Sequence, residues 1–320
     1  MKGVTMNKKI TALICAAAML LVSGCSGQNV SDDSSVQTES SANSVDSVSK
    51  AETTIDKPNN ETIIDSLNNG IIIDEVSGNV YKNEHNANPI SPNIFCADPT
   101  AVEYDGRLYV YGTNDQQQSE EGTKNDYAHI KSLVVFSTDD MVNWIYHGRI
   151  EVGEIAPWIY NSWAPSIVSR VEDDGLTHFY LYFSNSGAGV GVITSTDPVG
   201  PWTDPLGEPL IYQNMPGLEN CPAPFDPGVC IDVGWLSFGG GTPADGNTMH
   251  SKIPKIARLG KDMLSFDSEF VSIDAPYFFE ASELNYIDGV YYYTYCTDWQ
   301  DHKIGWEEYK GVDVPPACSM

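Results

Sequence analysis

The chain has 320 residues, a formal net charge of -27, 41% apolar and 19% charged side chains. That acidity argues against nucleic acid as a partner, because phosphate binding needs clustered Lys and Arg. The length allows one large domain or two small ones, and abundant Gly, Pro, Tyr and Trp favour an all-β protein over a helical one.

Lys2, Lys8 and Lys9 open a positive N-terminal region, and residues 10–22 form an apolar stretch too short to be read as a membrane span. It runs into Leu21-Val22-Ser23-Gly24-Cys25, which resembles a bacterial lipobox. The resemblance implies that residues 1–25 are an export signal and that Cys25 is lipidated. The protein would then sit outside the cytoplasm, tethered to a membrane face. Residues 26–86 are rich in Ser, Asp, Asn and Thr and poor in aromatics, so they bury too little apolar surface to offset their ordering entropy. They read as a disordered tether, with a short element conceivable over 63–75. Of the seven cysteines, Cys15 lies in the signal and Cys96, Cys221, Cys230, Cys296 and Cys318 lie in the body. Their spacing fits no zinc pattern. Export permits disulfides, but buried free thiols are an equal alternative.

From residue 87 onward aromatics become dense and one pattern recurs four times. Asp98-Pro99-Thr100-Ala101-Val102 leads through Asp105-Gly106 to Leu108-Tyr109-Val110-Tyr111. Trp163-Ala164-Pro165-Ser166-Ile167 leads through Asp174-Gly175 to Phe179-Tyr180-Leu181-Tyr182. Asp226-Pro227-Gly228-Val229 leads to Trp235-Leu236-Ser237-Phe238, and Glu280-Ala281-Ser282-Glu283-Leu284 leads through Asp288-Gly289 to Tyr291-Tyr292-Tyr293. Each copy reads as strand, tight turn, strand, and Asp-Gly supplies the positive φ angles of a hairpin turn. Ser-Thr-Asp…Trp phrases at 137–144 and 195–202 repeat between them as outer strands. Copies starting at 98, 163, 226 and 280 suit the four-stranded blades of a β-propeller, about four of which are present.

The first strand of a blade lines the propeller axis, so residues at the four heads converge on one funnel. Those heads are Asp98, Trp163, Asp226 and Glu280. Three carboxylates and an aromatic can cleave a glycosidic bond: one group activates water, one protonates the leaving oxygen, and the ring holds a sugar face. Glu283 competes with Glu280, but strand alternation would set the two on opposite faces. Asn114, Asp115, Asn185 and Ser186 follow second strands and either reach the funnel rim or form turns. His129, His147 and His178 stand apart, without ligand spacing, and read as structural.

Ala97-Asp98-Pro99, Ser162-Trp163-Ala164-Pro165-Ser166, Phe225-Asp226-Pro227 and Phe279-Glu280-Ala281-Ser282 resemble, in order and spacing, the phrases of glycoside hydrolase family 43. That resemblance implies a five-bladed β-propeller over residues 87–320 and inverting hydrolysis of pentose-containing plant glycans. The most direct expectation is an α-L-arabinofuranosidase or β-xylosidase acting on arabinoxylan, arabinan or xylan. It makes Asp98 the general base, Glu280 the general acid and Asp226 the carboxylate that orients that acid and modulates its pKa. Trp163 walls the sugar subsite, and Asn114, Asp115 and Asn185 are further substrate-binding candidates. In an inverting enzyme the two catalytic carboxyls stand about 6.5–9.5 Å apart. No cofactor is required, although a structural calcium on the axis is possible in the full propeller. Two departures qualify the match. The third hairpin, Cys230 to Trp235, is short, which either shifts Asp226 or only shortens an exposed loop. The chain is also expected to stop partway through a fourth blade. A non-catalytic glycan-binding lipoprotein is therefore the competing reading. A fructan hydrolase ranks last, for want of an Asn-Asp-Pro-Asn-Gly phrase.

Overall fold

The computed structural model describes residues 71–82, 90–91, 94–121 and 127–297. The signal segment, Cys25, most of the stretch read as a tether, and Cys318 lie outside the described residues.

Two strands, β1 (Ile71–Asp74) and β2 (Val80–Lys82), form a hairpin inside the stretch that composition assigns to the tether. The correction has a local cause. Ile72 is fully buried against Leu108, Val110, Val134, Phe136 and Trp144 of the first blade, and burying one such side chain is worth about 1.5–3 kcal/mol. That blade contains β3 (Ala97–Tyr104), β4 (Arg107–Thr113), β5 (Leu133–Thr138) and β6 (Trp144–Ile150), with a short helix α1 (Gln116–Glu121) between β4 and β5. β1 adds to its outer edge, parallel to β6, giving the order β2-β1-β6-β5-β4-β3.

After α2 (Val152–Ile155), the second blade runs β7 (Trp163–Val171), β8 (Thr177–Ser184), β9 (Gly189–Ser195) and β10 (Ile211–Tyr212). The third runs β11 (Gly228–Cys230), β12 (Trp235–Phe238), β13 (Lys255–Arg258) and β14 (Val271–Ser272); the fourth comprises β15 (Phe278–Ile287) and β16 (Val290–Thr297). Each of the last three blades is an antiparallel sheet in sequence order. Asp105 and Asp288 take positive φ (50° each) before glycines, as the Asp-Gly turns require. Among the described residues the sheets follow one another without a sheet joining β15 back to β3.

The blades stack through both faces of their strands. On β8, Phe179, Leu181 and Phe183 enter the cluster shared with Tyr111, Leu133 and Val135 of the first blade. The alternate residues Tyr180 and Tyr182 enter the cluster shared with Leu236, Phe238 and Phe278 of the third and fourth. A strand buried on both faces has no polar side, which is why this segment reads as a continuous apolar run. The buried tyrosines keep their hydroxyls paired: Tyr111 donates to Pro198 O (2.5 Å) and Tyr182 to Met263 O (2.7 Å).

Two histidines are structural, as expected. His147 Nδ1 meets Glu75 Oε2 at 2.7 Å and its Nε2 meets Ser137 Oγ at 2.7 Å. The line resembles a nucleophile triad, but Ser137 is wholly buried and accepts from Arg107, so it staples strands together. His178 pairs with Asp174 at the turn before β8. Cys96, Cys221, Cys230 and Cys296 are free thiols.

Candidate active site

Each inner strand begins with the same distortion. Asp98 (φ 47°), Ala164 (φ 53°), Asp226 (φ 52°) and Ala281 (φ 55°) all occupy the left-handed region, where non-glycine residues are uncommon. Ladder register slips at the same places, between Ala97 and Thr100, Trp163 and Ser166, and Glu280 and Glu283. Such bulges re-aim side chains beside active sites. The distortion also corrects the register of the four heads. Asp98 and Asp226 sit on the left-handed residue itself, whereas Trp163 and Glu280 sit one residue before it, level with Ala97 and Phe225.

The distortion lets the blades hold one another. Thr113 Oγ1, at the end of β4, accepts the Ala164 N–H at 3.0 Å and donates to Asp98 Oδ2 at 3.5 Å. Ser184 Oγ, at the end of β8, accepts the Asp226 N–H at 2.8 Å and donates to Asp226 Oδ1 at 3.3 Å. Asp226 Oδ2 in turn accepts the Ala281 N–H at 2.9 Å. The Asp226 carboxylate therefore fixes the backbone that carries Glu280. The short third hairpin does not displace Asp226, and β11 and β12 pair in regular register.

Asp226 is buried, 7% exposed. Burial pushes its carboxyl well above the usual carboxylate range, the charges of Glu280 and Asp98 push it further, and the Ala281 N–H and Ser184 hydroxyl pull the other way. The carboxyls of Asp98 and Glu280, on blades one and four, thus both lie within electrostatic reach of Asp226 on blade three. Asp98 is reachable by solvent, yet the protein around it raises its pKa, against the pull of Thr113. Trp163, half-buried, meets Phe225 edge to face with ring centroids 5.8 Å apart.

The family model for glycosyl hydrolases family 43 matches residues 86–315. The chain belongs to this family. It is 40% identical over 237 residues to the arabinoxylan arabinofuranohydrolase of Bacillus subtilis (strain 168), covering 68% of this chain and 46% of that protein. Among solved structures, a family 43 arabinoxylan arabinofuranohydrolase from Bacillus subtilis in complex with cellotetraose is 39% identical, with a TM-score of 0.62 over 66% of this chain and 47% of that one. An α-L-arabinofuranosidase from Clostridium thermocellum is 35% identical, with a TM-score of 0.54 over 66% of each chain. The chain spans about half the length of the curated relative.

Around the family 43 acids, the rim candidates divide. Asp115, half-buried after β4, joins the cluster: burial and then the Asp98 charge push its carboxyl up to about 6. Asn114 and Asn185 do not. Asn114 is 1% exposed and its amide donates to Ser132 Oγ. Asn185 is buried and its Oδ1 accepts the N–H of Tyr160 and of Asn161. Both hold loops, because a short amide side chain just past a strand end reaches its neighbours' backbone more easily than a ligand. Sequence reasoning missed Thr113 and Ser184, which stand one residue before these asparagines. The available signal was a small hydroxyl closing the second strand in both copies. Among the described residues no three His, Cys, Asp or Glu side chains are grouped to hold a metal ion.

Proposed function

We propose that this family 43 chain releases α-L-arabinofuranosyl groups from arabinoxylan with inversion at the anomeric carbon. What carries the reading is the hydrogen bonding at the blade heads: Thr113 and Ser184, at matching strand ends, hold Asp98 and Asp226, and Asp226 accepts the N–H of Ala281, the residue after Glu280, at 2.9 Å. Asp98, the acid reachable by solvent, takes a proton from water as that water attacks the anomeric carbon. Glu280 gives a proton to the oxygen that leaves with the xylan chain. Each turnover thus moves one proton onto Asp98 and one off Glu280, and solvent restores both. Repulsion between Asp226 and Glu280 disfavours two charges on the pair, and the Ala281 N–H and Ser184 hydroxyl offset only part of the rise that burial imposes on Asp226. The arabinofuranosyl assignment draws on the names carried by the relatives at 35–40% identity. Proton NMR of arabinoxylan digests tests it: β-L-arabinofuranose is expected as the first product, before mutarotation. Xylose released in its place makes the chain a xylosidase, and no sugar released over days makes it a glycan-binding protein.

We also propose that the chain is exported and lipid-anchored through Cys25, on the strength of the apolar stretch and small residues before it. Cells fed radiolabelled palmitate should label the wild-type protein and not Cys25→Ala; equal labelling of both overturns this.

A further inference from the structure

Among the large aromatic side chains exposed on the face of the blades that carries the acids are Tyr160 (66%) and Tyr127 (53%). Their position follows from topology. Thr113 and Ser184, the last residues of β4 and β8, touch Asp98 and Asp226. The loops at those strand ends therefore lie on the acid face. Tyr127 belongs to the loop from β4 to β5, and Tyr160 to the loop that enters β7 at Trp163.

The two loops are tied together from below. Buried Asn161 donates its amide to Tyr127 O at 2.7 Å and to Ile130 O at 3.3 Å. Ser162 N–H donates to Ile130 O at 3.1 Å. Asn185 Oδ1 accepts the N–H of Tyr160 at 2.6 Å and of Asn161 at 3.3 Å. The backbones of the two tyrosines are thereby linked through Asn161, a few residues before Trp163 on the Tyr160 side. Exposed aromatics held on rigid backbone bury large area at small cost in conformational entropy when something covers them. A sugar ring is a suitable cover: its axial C–H groups meet the electron-rich face of an aromatic ring. The net charge of -27 disfavours an anionic glycan.

We infer that Tyr127 and Tyr160 form a stacking platform for the backbone of a neutral polysaccharide whose side group enters the acid funnel. The substrate class rests on the glycosidase reading above; the platform rests on the two loops. On this proposal the pair contacts the polymer backbone and not the bond that is cut, so it sets preference for polymer over small substrates.

The test compares wild type with Tyr127→Ala, Tyr160→Ala and the double variant. Affinity electrophoresis in arabinoxylan reads binding, and 4-nitrophenyl α-L-arabinofuranoside reads chemistry without a backbone. The double variant should bind arabinoxylan about tenfold more weakly, with the KM for polymer raised and kcat/KM on the aryl glycoside within about twofold. Tyr160→Ala alone should show part of the loss if the double variant melts early, and Tyr→Phe at both sites should bind like wild type. Polymer affinity unchanged in the variants overturns the platform, as does an equal loss on both substrates. A chain that releases no sugar but loses polymer binding in the double variant sinks the glycosidase reading and leaves the platform standing.

Discussion

Glu280→Gln is expected to lower kcat on arabinoxylan about a thousandfold, equivalent to about 4 kcal/mol of barrier, while lowering it about tenfold or less on 2,4-dinitrophenyl α-L-arabinofuranoside. The contrast comes from the leaving group. A xylan hydroxyl departs as an alkoxide unless an acid protonates it, whereas dinitrophenolate is stable without a proton. Asp98→Asn supplies the complementary result: a loss of about a thousandfold on both substrates, because each needs activated water whatever leaves. The amides preserve shape. Neither should disturb the hydrogen bonds that Asp226 makes to Ser184 and the Ala281 N–H, so melting points should stay near wild type. Equal losses on the two substrates in Glu280→Gln would remove that residue from the acid role.

The parts of this arrangement legible in the sequence are those set by local chemistry. Asp-Gly turns and dense aromatics mark the hairpins, and their spacing marks the blades. The three acids are legible as residue types at strand heads. Their register is not, because the left-handed residue that opens each inner strand shifts Trp163 and Glu280 by one place relative to Asp98 and Asp226. No residue type announces that shift: aspartate carries it twice and alanine twice. The same limit explains Asn114 and Asn185. Polarity beside a strand end is visible from sequence, but whether an amide faces solvent or its neighbours' backbone depends on a loop fold that only tertiary packing decides. Of the β1–β2 hairpin the sequence suggests only a short element over 63–75, for another reason. Its few isoleucines form a weak signal alone and gain value only against Leu108, Phe136 and Trp144, which lie far along the chain.

The acid that sequence alternation set against Glu280 carries the other large prediction. Glu283→Gln should raise Tm by about 5 °C or more at pH 8 while leaving kcat on arabinoxylan within about twofold. Glu283 is half-buried on β15, opposite Thr294, and burial alone pushes its carboxyl from 4.5 up to about 8. The folded state therefore binds this proton more tightly than the unfolded chain does. Its contribution to stability is greatest below pH 4.5 and declines as pH rises through the unfolded value toward 8, where the loss levels off. At pH 7 the loss is up to about 3 kcal/mol, less whatever water screens at a half-exposed group. Glutamine carries no titrating proton, so the Tm difference should close by pH 4.5. A gap that ignores pH would mean that packing, not ionisation, separates the two chains, and a variant that folds but no longer cuts would move the chemistry to Glu283. Position gives the residue a structural role. Counted from the left-handed residue, Glu283 stands level with Thr100 and Ser166, whose hydroxyls accept the N–H of Ile167 and Val229 in the following blade at 3.2 and 3.0 Å. The fourth blade places a carboxylate where the first two place a hydroxyl acceptor. That level faces the neighbouring blade, whereas Glu280, on the other side of the bulge, faces the shared acids.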